Sequence, residues 1–286
     1  MNIPEVIKSA CGGVSYTIAI DFVIFLAGLL IFGNWLLKTS FGRKALSDSV
    51  PRRNNMPPYL PFVPLFIWFG AVSIAVSVTE KFLPDLPDWQ KAFMDNLILC
   101  IGEITAIAVI ILLARASFAR RLKGFGLNFR TIHKDISAAL LNLLSVWPLI
   151  AAMLILTMHL GKLIMGPDFS IQPHEELEAI RAYSQLPVKV LIIVTAIVIV
   201  PVFEEMLFRG LFQTMLRSIL TKPWPAIAIS SVLFVLAHSN AGHWPALFVL
   251  SVCMGYSYEK SGSLLRPIFI HCLFNAISIV GTLYNI

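Results

Sequence analysis

Two adjacent acids and a base interrupt an otherwise apolar run in the last third of the chain, in Glu204-Glu205-Met206-Leu207-Phe208-Arg209-Gly210. Further on stand Phe234-x-x-x-His238 and His271-x-x-x-Asn275. On a helix, Glu205 and Arg209 are four residues apart and share a face, so they can pair. A carboxylate already held by a guanidinium is a poor proton acceptor. Glu204 is rotated about 100° away and has no such partner, which suits a general base. Phe234 can wall the pocket beside the His238 imidazole, and His271 shares its face with Asn275. A charge cluster that merely holds helices together accounts for Glu205 and Arg209 but not for Glu204. A lone histidine inside a membrane is often only a helix–helix hydrogen bond; two histidines, an aligned Asn and a solitary Glu ask for more.

The elements that must position these groups are membrane helices. The chain has 286 residues, of which 57% are hydrophobic and only 13% charged, too few charges to solvate a soluble fold. The reading is an all-α, polytopic transmembrane bundle of about eight spans, near 15–37, 59–79, 93–114, 136–160, 188–220, 225–239, 245–258 and 264–284. The first 14 residues hold no apolar run, and no cleavable signal peptide is expected. Pro201 should bend the helix that carries the acids, and Arg217 should mark where that helix meets the surface. The spans 225–239 and 245–258 are short, which points to a wet interior at their joint, Asn240 to Trp244. Asp21 and Asp95 lie near helix ends, whereas Glu103 is deep and has no evident role. Cys11, Cys100, Cys253 and Cys272 have no metal or redox spacing and read as small core hydrophobes.

Charge orients the bundle. The loops 38–58 and 115–135 are basic and 161–187 is acidic; of the 22 Lys and Arg, 15 fall on the first side, six on the other, and Arg209 lies inside a span. The positive-inside rule then puts the basic loops in the cytoplasm and both termini outside. The net charge of +6 is spent on this asymmetry, so no nucleic-acid partner is expected. Counted from the cytoplasmic ends, Glu204 and His238 lie at about 20 Å and Asn275 at about 14 Å, so the groups could meet in a cavity open to that side.

The three pieces Glu204-Glu205-x-x-x-Arg209, Phe234-x-x-x-His238 and His271-x-x-x-Asn275, in this order on successive apolar helices, resemble the signature of the CPBP intramembrane proteases. That family contains the type II CAAX prenyl endopeptidases and the bacteriocin-processing and immunity proteins. The resemblance covers about 188–284. It implies a glutamate-activated water that attacks a peptide bond within the membrane. Glu204 would be the base, His238 would help hold the water, and His271 with Asn275 would stabilise the oxyanion. Glu205, Arg209 and Phe234 would support the site. The resemblance also leaves open a zinc site built from Glu204, His238 and His271. There is no H-E-x-x-H, however, and Asn is an unusual zinc ligand, so an amide aimed at an oxyanion is the easier account of Asn275.

The chain therefore divides into helices without a recognised motif, 1–187, and a motif-bearing core, 188–286. The expected protein is an integral-membrane endopeptidase of a prokaryotic inner or plasma membrane. Its partners would be the bilayer and a membrane-associated or prenylated (CAAX-like) peptide or protein. The sequence does not give its oligomeric state. Two other readings stay open: a non-enzymatic immunity or scaffold protein, and a proton-coupled transporter, against which the lack of internal repeats argues.

Overall fold

Apolar runs of 20 residues or more form helices because, in hydrocarbon, every backbone N–H and C=O must find its partner within the segment. The computed structural model describes residues 3–172 and 175–283, and among these all regular structure is helical apart from an isolated bridge between Asn54 and Phe118. The side chains of Cys11, Glu175 and Glu176 lie outside the described residues, as does position 284. We number the long helices α1 (Ile3–Lys38), α2 (Phe62–Phe82), α3 (Asp88–Ser117), α4 (Ile132–Met165), α5 (Leu186–Leu220), α6 (Pro223–Leu236), α7 (Trp244–Ser261) and α8 (Leu265–Leu283).

Five of these carry a stretch long and apolar enough to cross a membrane: Asp21–Lys38, Phe62–Phe82, Asp88–Ser117, Phe129–Met165 and Leu186–Leu220. The stretches Pro223–Leu236 and Leu265–Gly281 are apolar but shorter. The eight expected spans are thus eight helices, of which these five are long and apolar enough to cross a membrane. The expected span 225–239 loses its last three residues. It stops at Leu236 because Ser239-Asn240-Ala241-Gly242 prefers a turn, and the Asn240 side chain accepts the Gly242 N–H at 3.0 Å to open a 3-10 turn.

Helices α3 to α8 enclose one core. Ala106 and Ile110 of α3, Leu143 and Ile150 of α4, and Met206, Leu207 and Leu211 of α5 meet Phe234 of α6, Leu250 and Met254 of α7, and Ile268 and Ile270 of α8. Helix α1 rests on α4, and α2 on α3. Only 6% of the apolar stretch in each of α1 and α2 is buried, and Phe22, Leu30, Phe66 and Ile74 point outward. Surfaces that apolar are stable against lipid, not water. The protein is an integral membrane protein.

The loops sort into two ends. At one, the Asp135 carboxylate accepts hydrogen bonds from Thr131 (2.7 Å), Ser263 (2.9 Å) and the Arg266 Nε (2.7 Å). Beside it, Glu259 pairs with Arg217 at 2.9 Å and Arg52 at 3.6 Å, and the Arg52 guanidinium stacks over the Tyr258 ring. The loops 38–58 and 115–135 and the ends of α5, α7 and α8 are tied together there. At the other end, Asn240 Nδ2 and His243 Nε2 both reach the Gln172 carbonyl, each at 2.9 Å. One expectation is corrected: Arg217 does not mark a solvated surface but is buried against Glu259, a partner 42 residues away.

Candidate functional site

The helix that carries the acids is not a uniform α-helix. Two stretches of α5, Thr195–Ile199 and Met206–Gln213, are π-helical. Such wide turns are uncommon and concentrate where function needs a local change of register. The first turn precedes Pro201, whose ring would collide with the carbonyl four residues back in a regular helix. The second exposes carbonyls that side chains then satisfy: Ser230 Oγ donates to Phe208 O at 2.9 Å, and Thr214 Oγ1 to Arg209 O at 3.3 Å. Gly210 has the Phe125 ring lying where a Cβ would be, so the loop after α3 packs directly on this turn.

Arg209 sits at the centre. Its guanidinium is buried, donates from Nη1 to Glu205 Oε1 at 2.6 Å and from Nη2 to Ser251 Oγ at 2.7 Å, and lies 4.5 Å from the centre of the Phe234 ring. The expected pair therefore forms. Glu205 does more than neutralise Arg209, because the same Oε1 lies 3.0 Å from His271 Nδ1. A carboxylate oxygen accepts, so Nδ1 carries the hydrogen, and the other ring nitrogen, Nε2, stands 3.8 Å from Glu204 Oε2. Glu204 is thus not the solitary carboxylate that helical spacing predicts: α8 brings an imidazole to it. Its side chain keeps 17% of its surface exposed, whereas Glu205 keeps none.

The aromatic wall is Phe234, fully buried, with its ring 4.7 Å from that of His238 and 5.7 Å, edge-on, from that of His271. His238 lies just past the end of α6, not within it. Its Nδ1 meets the Phe234 carbonyl at 2.9 Å. That carbonyl can only accept, so the hydrogen is on Nδ1 and the Nε2 lone pair is directed elsewhere. Asn275 is placed differently from its neighbours: its Nδ2 donates to the Ala196 carbonyl of the first π turn at 2.8 Å. The structure thus gathers Glu204, Glu205, Arg209, Phe234, His238 and His271 around one ring and one guanidinium, with Asn275 a turn further along α8. Ser251 and the Ala196 carbonyl carry no sequence signal that would single them out. Glu103, which the sequence does single out, is buried on the face of α3 that also carries Ala106 and Ile110.

Among the described residues no three His, Cys, Asp or Glu side chains are grouped so that they could hold a metal ion. The set Glu204, His238 and His271 is therefore not assembled as a ligand sphere. The tautomers of both histidines would suit a metal as well as they suit a water.

Breaking the central pair should be costly, since a buried charge left alone loses roughly 3–5 kcal/mol. Glu205→Gln and Arg209→Gln should each lower the melting temperature in detergent, and the double variant should lose less than the two single losses added together. Additive losses would show that the pair contributes nothing as a pair.

Comparison with known proteins bears on the same segment. Residues 186–277 match the family model described as type II CAAX prenyl endopeptidase Rce1-like. An Escherichia coli protein described as an uncharacterized 24.3 kDa protein is 28% identical over 117 residues, which are 40% of this chain. The chain spans about half the length of that relative, 54%. No solved structure matches. Residues 186–277, where Glu204, Glu205, Arg209, Phe234, His238, His271 and Asn275 all lie, are thus similar to the type II CAAX prenyl endopeptidase Rce1-like family.

Proposed function

We propose that the protein is an intramembrane endopeptidase in which Glu204 activates the attacking water. The observation that carries this reading is the unequal fate of two adjacent carboxylates. Glu205 is sealed from solvent and committed to Arg209 and His271, whereas the Glu204 side chain stays partly open, with its Oε2 buried beside the His271 imidazole. Of the two side chains, only Glu204 is open on one side.

In this scheme Glu204 takes a proton from a water that His238 helps to hold through Nε2. The hydroxide adds to the carbonyl carbon of the scissile peptide bond. The oxygen that becomes negative is met by the Asn275 amide, one of whose two N–H groups is held by Ala196 O, and by His271, which must then carry a second proton on Nε2 in order to donate. Glu204 then passes the proton to the leaving nitrogen, the C–N bond breaks, and one water has been consumed. General-base catalysis contributes about 10²–10⁴-fold and an oxyanion donor about 10²–10³-fold. Glu205 and Arg209 hold His271 and take no part in bond making. No step here is routed through zinc.

The substrate class is a membrane-associated or lipid-modified peptide of the CAAX type, with cleavage after the modified cysteine if the lipid is a prenyl group. The family match to type II CAAX prenyl endopeptidases supports it. Mass spectrometry of membrane peptides from cells carrying wild type or Glu204→Gln tests the reading. Fragments should appear with wild type and vanish with the variant, which should accumulate to the same level. Fragments that persist with Glu204→Gln would remove the base. A wild type that yields none would favour the non-enzymatic scaffold.

The orientation proposed with this function places the Asp135–Glu259 end in the cytoplasm, since the basic loops 38–58 and 115–135 are tied together there. A reporter fused in the 115–135 loop should score as cytoplasmic and one near 166–172 as outside; the reverse pattern would overturn the placement.

A further inference from the structure

We propose that Asn275 is a positioning residue that supplies the hydrogen bond Pro201 cannot make, and that this bond sets the height of Glu204 against His271. The inference rests on the function proposed above and adds a role that neither the motif nor the match assigns.

One carbonyl of α5, Ala196 O, takes its hydrogen bond from another helix. Backbone polar groups in a membrane interior must be paired. In an α-helix the Ala196 carbonyl would receive the N–H of Val200, but that N–H is bonded to Thr195 O, five residues back. In the π register so begun, the next donor in line for Ala196 O is residue 201, a proline without an N–H. In the π register the carbonyl is therefore stranded by its own helix. The donor comes from outside: Asn275 Nδ2 of α8, at 2.8 Å.

This bond has a consequence for the site because of what else α8 holds. His271, one turn before Asn275, contacts Glu205 at 3.0 Å and Glu204 at 3.8 Å. Helices α5 and α8 are therefore pinned at two points, one at the π turn and one at the acids. Pro201 lies between them, three residues before Glu204. With the upper pin removed, the π turn can relax and α8 can slide along α5, which changes the distance from His271 Nε2 to Glu204 Oε2. Apolar packing of α8 resists tilting but not sliding by a fraction of a turn. The amide supplies the longitudinal stop.

The test is a double-mutant cycle in the full chain, with Asn275→Ala, Pro201→Ala and both together. Melting temperature in detergent and the kcat and KM of peptide cleavage are read for each. Pro201→Ala restores a backbone N–H next to the stranded carbonyl. Asn275→Ala should lower the melting temperature and reduce kcat while KM stays within about threefold, because positioning acts on the transition state. Adding Pro201→Ala to it should return at least half of the lost melting temperature. It should also raise kcat by about tenfold, the remainder of the loss being the direct share of an oxyanion donor. Where Asn275→Ala fails to accumulate, recovery of accumulation by Pro201→Ala is the equivalent reading. Equal shifts from Pro201→Ala in both backgrounds would overturn the inference. So would a restored melting temperature with kcat unmoved, since the bond would then brace the helix without placing the base. If wild type cleaves nothing, the proposed function fails and takes the positioning role with it, while coupling in melting temperature still decides whether the bond replaces that of Pro201.

Discussion

A guanidinium with 1% of its surface exposed, deep in an apolar bundle, is the constraint around which the C-terminal half is built. A charge in such surroundings is tolerated only when it is hydrogen-bonded and balanced. Arg209 meets this demand by drawing on each neighbouring helix: Glu205 from its own helix α5, the ring face of Phe234 from α6, and Ser251 from α7. Helix α8 joins through His271, bonded to the Glu205 that Arg209 already holds. Four helices are thus fixed relative to one another by partners of a single side chain.

The same arrangement divides the two glutamates. Glu205 is committed through Oε1 to the guanidinium and an imidazole, and the Phe234 ring lies against the guanidinium. The next carboxylate along, Glu204, then faces the second nitrogen of the imidazole that Glu205 orients. A base whose neighbours are rigid needs little reorganisation when it accepts a proton, which is the advantage of placing such a group on helices rather than on a loop. In the function proposed above, packing and chemistry are two uses of one polar chain.

Much of this is legible in residue spacing. The i,i+4 relation of Glu205 and Arg209 gives their pair, and apolar runs give the helices, because both depend on local periodicity. The features that escape are those in which a distant segment satisfies a local deficit. Helical spacing leaves Glu204 alone because it cannot know that α8 delivers His271. Pro201 reads as a bend, but the π turn and its Asn275 donor appear only when α5 and α8 are side by side. Arg217 reads as a surface marker because Glu259, its partner, is 42 residues away. His238 reads as helical because Phe234-x-x-x-His238 has helical spacing, and the ring does bond the Phe234 carbonyl, yet from a turn beyond the helix end.

The account turns on which glutamate does chemistry and which holds the frame, and cleavage rate per folded molecule measures that most directly. Glu204→Gln and Glu205→Gln would be purified side by side in one detergent, with the folded fraction of each determined. Glu204→Gln should melt like wild type yet cleave at least ~10²-fold more slowly per folded molecule. Glu205→Gln should melt lower but retain, in the molecules that stay folded, a rate within about tenfold of wild type, since an amide oxygen can still accept from His271. A stable but inactive Glu205→Gln beside an active Glu204→Gln would contradict the account.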